Sequence, residues 1–366
     1  ELGRTYFVSR LLDSPSAKRP TPPDLLYLNN FEDQDRPLLA AVPAGVGKRF
    51  KADLAKAVGK LQGDIPARLE QDAFHRQRES LMASFTTRRD AIYQDMERLA
   101  EAQGFALGFE DNGGMTLMPL WEGKIIAQAE FERLPGQVQS ALRGARDKLL
   151  SVLMKMLRNI QAEEKGLRED EFDLEKSVVS SALKERLTPL RKAFAAHARL
   201  VAWLDAATAH VLENLDQVMP REEDERGEHR SERDRPAPPD TFWTRMQVNL
   251  FVDNSGLAAG GGAPVIIEDH PTYFNLLGLI ERESELGALS TDFTLIKAGS
   301  LHRANHGFLV IRAEDVLAHP TAWEGLLRAL RSGQCRVEDP ADHDQPRTRT
   351  VEPEPVPLSV KVILIG

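Results

Sequence analysis

Cysteine is the scarcest residue of the chain, with one copy, Cys335, in 366 residues. A single thiol excludes an internal disulfide framework and any zinc site built on several cysteines, and it fits a reducing, cytoplasmic setting. Long apolar runs are missing too: none approaches the roughly eighteen residues that a membrane-spanning helix needs. The start carries no charged, apolar and small-residue succession of a secretory signal, and Glu rather than Met at position 1 reads as a fragment or a processed chain. Excess positive charge is absent, the formal net charge being −9. A nucleic-acid binder accumulates a positive face against phosphates, so nucleic acid, like membrane, is not an expected partner.

What the chain does have is enough apolar sequence, 42% of its residues, to bury at least one sizeable core, and a length that favours two or three domains. Residues 3–13 place Phe7, Leu11 and Leu12 at helical spacing before an Asp13-Ser14-Pro15 stop. Leu25-Leu26-Tyr27-Leu28 reads as a buried strand, and so does Phe308-Leu309-Val310-Ile311, introduced by Gly307 and closed by charge. A run apolar at every position is buried on both faces and belongs at the centre of an α/β sheet. Further strands are expected at 246–252, 265–267 and 335–337, with a final buried one at 360–365; helices are expected at 270–280 and 323–330.

Between these parts the pattern changes. From 51 to 103, charge alternates with apolar residues three and four apart (Leu81, Phe85, Ile92, Met96, Leu99), and Pro66 is expected to separate two helices. Residues 105–126 break the rhythm: Asp111-Asn112-Gly113-Gly114 is a strong turn signal and predicts a β-hairpin. Helical periodicity resumes near Phe131 and runs to Val218, with Pro189 as the expected interruption and Leu149, Leu153, Met156, Leu157 and Ile160 on one face. Narrow apolar stripes on such highly charged helices need a partner helix, which predicts a coiled-coil-like arm. Residues 220–239 are almost free of apolar side chains and read as a charged linker. His229 within it has no second ligand at a metal-binding spacing. The expected organisation is an α/β core in two parts, 1–50 and 240–366, with a helical insertion at 51–219 carrying the hairpin, and the linker at 220–239.

Few motifs carry chemistry. Gly45-Val46-Gly47-Lys48-Arg49 ends like a phosphate-binding loop but lacks both the earlier glycine and the Ser or Thr after the lysine. Gly260-Gly261-Gly262 lacks the whole Gly-Lys-Ser/Thr ending. Gly3-Arg4-Thr5, before the first helix, has the right context, since phosphates sit at helix N-termini. Arginine there keeps the charge and loses the compact ammonium. After the central strand, where α/β nucleotide hydrolases carry an aspartate for Mg²⁺ and a glutamate for water, stand Arg312 and Ala313. Arg312 is expected to pair with a carboxylate of its own or a neighbouring chain.

Gly-Arg-Thr before a helix, LLYLNNFEDQDRPLLAAVPAGVGKRF, PVIIEDHPTYFNLLG, GALSTDFTLIKAGSLHRANHGFLVI and WEGLLRALRSGQCRVE together resemble the AAA-type module of Lon proteases, closest to the LonB-like group. The resemblance covers most of the chain, most specifically 291–311. It implies an AAA-like α/β core, a parallel sheet flanked by helices. It maps the family's Walker A lysine to Arg4, between Gly3 and Thr5, and its Walker B acids to Arg312 and Ala313. Both motifs are therefore degenerate, as in the LonC subgroup of ATP-independent Lon-like proteases, so no cofactor is expected. It implies unfolded polypeptide substrates, a hexameric parent, and a Ser-Lys dyad in a protease domain that this sequence does not contain. No catalytic residue is assigned: Ser300 and Ser359 merely have Lys297 and Lys361 nearby. Thr291, Asp292, Phe293, Thr294 and Leu295 map to the loop facing the pore, with Phe293 as the substrate contact or else a core residue. Trp121 at the hairpin end is a second candidate contact if exposed. Two alternatives stay open: the AAA+ unfoldase module of an ATP-dependent Lon protease, and a purely structural oligomerisation module.

Overall fold

A computed structural model describes residues 2–109, 115–121, 123–219, 239–258, 261–285, 288–338 and 351–366. The expected turn at 111–114, His229 with nearly all of the 220–239 linker, and Gly260 lie outside the described residues. Along the chain the principal elements are α1 (Leu2–Ala17), β1 (Asp24–Leu28), β2 (Leu38–Val42), α2 (Val46–Leu69), α3 (Asp72–Ala102), β3 (Phe105–Phe109), β4 (Met115–Trp121) and β5 (Lys124–Ile125). They continue with α4 (Gly136–Ala193), α5 (Ala198–Glu213), β6 (Val248–Val252), β7 (Val265–Glu268), β8 (Phe308–Arg312), α6 (Pro320–Ser332) and β9 (Lys361–Ile365). By contacts the chain divides into one unit of residues 1–65 with 180–366 and a second of residues 66–179.

The first unit contains two sheets. One is parallel, in the order β9-β8-β7, with Phe308 beside Lys361 and Val265 and Ile311 beside Leu364 and Glu268. The central strand is apolar at every position because each face has its own cover. Leu309 and Ile311 pack in one cluster with Leu326 and Ala329 of α6, while Phe308 and Val310 pack with Leu12 and Val8 of α1. Full burial of side chains of this size stabilises by about 1.5–3 kcal/mol each, so this strand anchors the sheet. Gly307 enters it where a Cβ would lie 2.0 Å from the Pro264 carbonyl oxygen, a space that only glycine leaves free. The expected final buried strand, β9, is instead an edge strand with Lys361 and Leu364 exposed. The other sheet is antiparallel, β2-β1-β6, and every residue of β1 is buried.

Two proline expectations need correction. Pro66 lies inside α2, which continues to Leu69, and Pro189 lies inside α4, which continues to Ala193. Each proline removes one backbone donor, but Ile65 and Leu69 are buried beside the first and Leu187 and Leu190 beside the second. Burial outweighs the lost hydrogen bond there. The chain breaks instead at Glu70–Gln71 and at residues 194–197. The helix expected at 270–280 is shorter, Tyr273–Leu277.

In the first unit Phe50, Phe194 and Trp203 form edge-on ring contacts, and the Trp203 indole donates to the Asn29 carbonyl at 2.9 Å. These aromatic contacts explain why residues 51–65 and 180–219 group with the α/β part, where the sequence had assigned them to the insertion. In the second unit β3 and β4 pair antiparallel, Phe105 opposite Pro119 and Phe109 opposite Met115, and β5 adds to β4. One face of this sheet, including Phe105, Leu107 and Leu117, packs on Met96 and Ala100 of α3 and Leu149, Leu153 and Ile160 of α4.

Candidate functional site

The carboxyl end of the parallel sheet brings together Arg4 and Arg312. Arg312 closes β8 opposite Ile365 of β9, and the next residue, Gly366, offers its carbonyl to Arg4 Nη1 at 2.5 Å. Gly3, Arg4 and Thr5 are thus already part of α1 and form no loop ahead of it. The Arg312 guanidinium reaches Glu314 Oε1 at 2.5 Å and Asp315 Oδ2 at 3.3 Å, the own-chain carboxylate pairing expected from the sequence. Glu314 and Asp315 do not continue the strand. They open the helical turn Ala313–Leu317, where acidic groups suit the helix start. At this end of the sheet both arginines are committed to protein oxygens.

Gly45-Val46-Gly47, rejected as a phosphate loop on spacing, proves to be filled from within. Asp24 Oδ2 accepts the Gly45 and Gly47 amides at 2.7 and 3.0 Å, and its Oδ1 accepts the Asn254 amide at 2.7 Å. Asp24 is fully buried, and three backbone donors compensate the desolvated charge. An intrinsic carboxylate therefore occupies the place an anionic ligand would take. Lys48 pairs instead with Asp253 at 3.7 Å, on the surface.

Residues 291–296 form a fastened turn. Thr291 Oγ1 donates to the Glu281 carbonyl at 2.9 Å, Asp292 accepts the Thr294 amide at 2.7 Å, and Phe293–Leu295 is one turn of 3-10 helix. Asn249 of β6 holds the carbonyls of Phe293 and Ile296, each at 2.8 Å. Phe293 is 3% exposed and packs with Tyr27, Phe251 and Val356, as a core residue does. Trp121 is 40% exposed, and Phe109 and Ile125 of the same three-stranded sheet are 46% and 55% exposed.

Neither serine beside a lysine has dyad geometry. Ser300 is fully buried and bonds Glu268, the Asn275 carbonyl at 3.1 Å and Arg303 at 3.0 Å, while Lys297 pairs with Glu281 at 3.5 Å. Ser359 is held through its amide by Asn305 Oδ1 at 2.8 Å. Burial pushes the Cys335 thiol up to about 12, with Glu338 adding to the rise and Arg328 opposing it, so it is an inert core thiol. Burial takes the His302 pKa down to about 3, against a smaller opposing effect of the Cys335 backbone; the ring sits edge-on to Phe251 and accepts the Gly299 amide at 3.2 Å. Sequence reading had missed Asp24, Asn249, Glu268 and His302. Their partners lie up to 230 residues away, so no local spacing announces them.

Residues 261–366, from just before β7 through β9, match the model for the LonB-like AAA domain, and residues 24–57, covering β1, β2 and the start of α2, match that for the Lon-like LonC helical domain. No curated protein matches the chain. The two family matches support a Lon-like family, of the LonB/LonC type. Among the described residues no helix is long and apolar enough to cross a membrane.

Proposed function

We propose that this chain is the substrate-handling and oligomer-forming module of an ATP-independent Lon-like protease that takes unfolded polypeptides and assembles as a hexamer in its parent protein. The observation that carries the reading is the commitment of Arg4 and Arg312 to Gly366, Glu314 and Asp315 at the end of the parallel sheet. A guanidinium and a methyl group at 312 and 313 offer no oxygen ligand, so these residues do not fit Mg²⁺. Residues 66–179 serve as an inserted arm whose β3-β4 hairpin meets polypeptide through Phe109, Trp121 and Ile125. Their exposure supports that role, because exposed apolar side chains are free to meet a partner. Peptide hydrolysis is left to the parent's Ser-Lys dyad.

Binding of a fluorescein-labelled, permanently unfolded polypeptide, followed by anisotropy with and without Mg-ATP, tests this reading. The affinity is expected to be the same under both conditions. Binding that appears only with Mg-ATP supports the ATP-dependent unfoldase instead, and no binding under either condition supports the purely structural module.

A further inference from the structure

At the amino ends of β8 and β9, away from the strand ends that carry Arg312 and Ile365, the first unit has a recess of about 270 Å³. It is lined by Arg19, by Leu330 near the end of α6, and by the segment 358–361 that leads into β9. Backbone bonds fasten this frame. The Leu358 amide donates to the Gly333 carbonyl at 2.8 Å, the Ser359 amide to Asn305 Oδ1 at 2.8 Å, and the Lys361 amide to the Gly307 carbonyl at 3.0 Å. Arg19 is fixed as well. Its Nη1 donates to the carbonyls of His306 at 3.0 Å and Gly307 at 3.4 Å, and the guanidinium lies 4.5 Å from the centre of the Phe308 ring.

The polar side chains of the recess are donors left without acceptors. Arg19 makes both its bonds through one nitrogen, so Nε and Nη2 engage no described residue, and a guanidinium with a free edge suits a carboxylate. The Lys361 amine and the Ser359 hydroxyl bond no described residue either. None of the described residues lining the recess is acidic. In a chain of formal net charge −9, this is a place of local positive charge. Leu330, Leu358 and Val360 make the rest of the lining aliphatic, with Leu330 exposed. An inorganic anion gains nothing from such a surface, whereas an anion that carries an alkyl group buries it there.

We propose that this recess binds a small apolar carboxylate, its charged end between Arg19 and Lys361 and its alkyl group on Leu330, Leu358 and Val360. The volume fits such a ligand: drug-sized molecules occupy pockets of about 300–1,000 Å³, and this one lies just below that range. Two sources present that chemistry, the carboxyl end of a polypeptide with an apolar last residue and a free short fatty acid. The site lies at the opposite end of the sheet from Arg312 and does not rest on the function proposed above.

Calorimetric titration of the chain with N-acetyl-leucine, N-acetyl-leucine amide, hexanoate and inorganic phosphate tests the proposal, with repeats on Lys361→Gln and Leu330→Glu variants. One equivalent of N-acetyl-leucine or hexanoate is expected to bind, and the amide to bind at least about tenfold more weakly, because it lacks the charge. Lys361→Gln should weaken both acids at least about fivefold. Leu330→Glu, which sets a carboxylate beside the cations, should abolish their binding. Both positions are exposed, so the melting midpoints of the variants should match that of the unsubstituted chain. Tighter binding of N-acetyl-leucine than of hexanoate supports the site with a polypeptide end as its source, and the reverse order supports it with a free fatty acid. The proposal is overturned if neither acid binds, if the amide or phosphate binds as well as the acids, or if both variants bind the acids unchanged.

Discussion

Arg312 and Asp315 lie 3.3 Å apart, Nε to Oδ2, and the same guanidinium reaches Glu314 at 2.5 Å. The three residues form a charge cluster at the end of the central strand. Its carboxylates and guanidinium are 31% to 64% exposed, so solvent screening limits its worth. Arg312→Ala is expected to cost at most about 1 kcal/mol of stability in urea unfolding. A loss several times larger would mean that the guanidinium does structural work beyond these pairs.

Asp24 is the opposite case. It is fully buried, and its removal leaves the amides of Gly45, Gly47 and Asn254 without their acceptor. Asp24→Ala is expected to destabilise by roughly 3–5 kcal/mol, since each orphaned buried donor costs about 1–3 kcal/mol and relaxation recovers part. Asp24→Asn keeps one acceptor oxygen and should cost less. Urea midpoints of the two variants measure the order.

The buried His302 gives the stability a definite pH dependence. Its folded-state pKa, about 3, lies below the unfolded value of 6.5, so its contribution is complete above about pH 6.5 and is lost as pH falls toward the folded value. Between pH 7 and pH 5 this one group should remove about 2 kcal/mol. His210, lowered by burial and by Arg245, with Glu213 opposing, acts in the same direction. Unfolding free energies at the two pH values should fall accordingly, with a shallower dependence in His302→Gln.

Trp121 is 40% exposed, and the fold does not need its ring. Trp121→Ala should change stability by less than about 1 kcal/mol. If the strands of residues 105–125 receive polypeptide, the same change weakens binding of an unfolded chain several-fold in anisotropy titrations. Unchanged binding in Trp121→Ala and in Phe109→Ala would remove the arm from the account.

The parts of this fold that local pattern controls were legible in advance. Phe308–Ile311 is apolar at every position because α1 and α6 cover its two faces, and that pattern alone puts it at the centre of a sheet. The Arg312 pairing followed from its charge. Other features depend on residues distant in the sequence. Pro66 and Pro189 looked like helix ends because the burial that carries the helices past them comes from tertiary neighbours. Phe293 could be core or surface until Tyr27, Phe251 and Val356 were seen around it. Asp24 gave no sign, since nothing near it announces amides 21, 23 and 230 residues away.

The central claim is that the nucleotide position no longer works as one, and calorimetric titration of the chain with Mg-ATP tests it most directly. The account predicts no saturable heat of binding, and the same result when EDTA replaces Mg²⁺. Tight binding that depends on Mg²⁺ would contradict it, and would return Arg4 and Arg312 to a working nucleotide site.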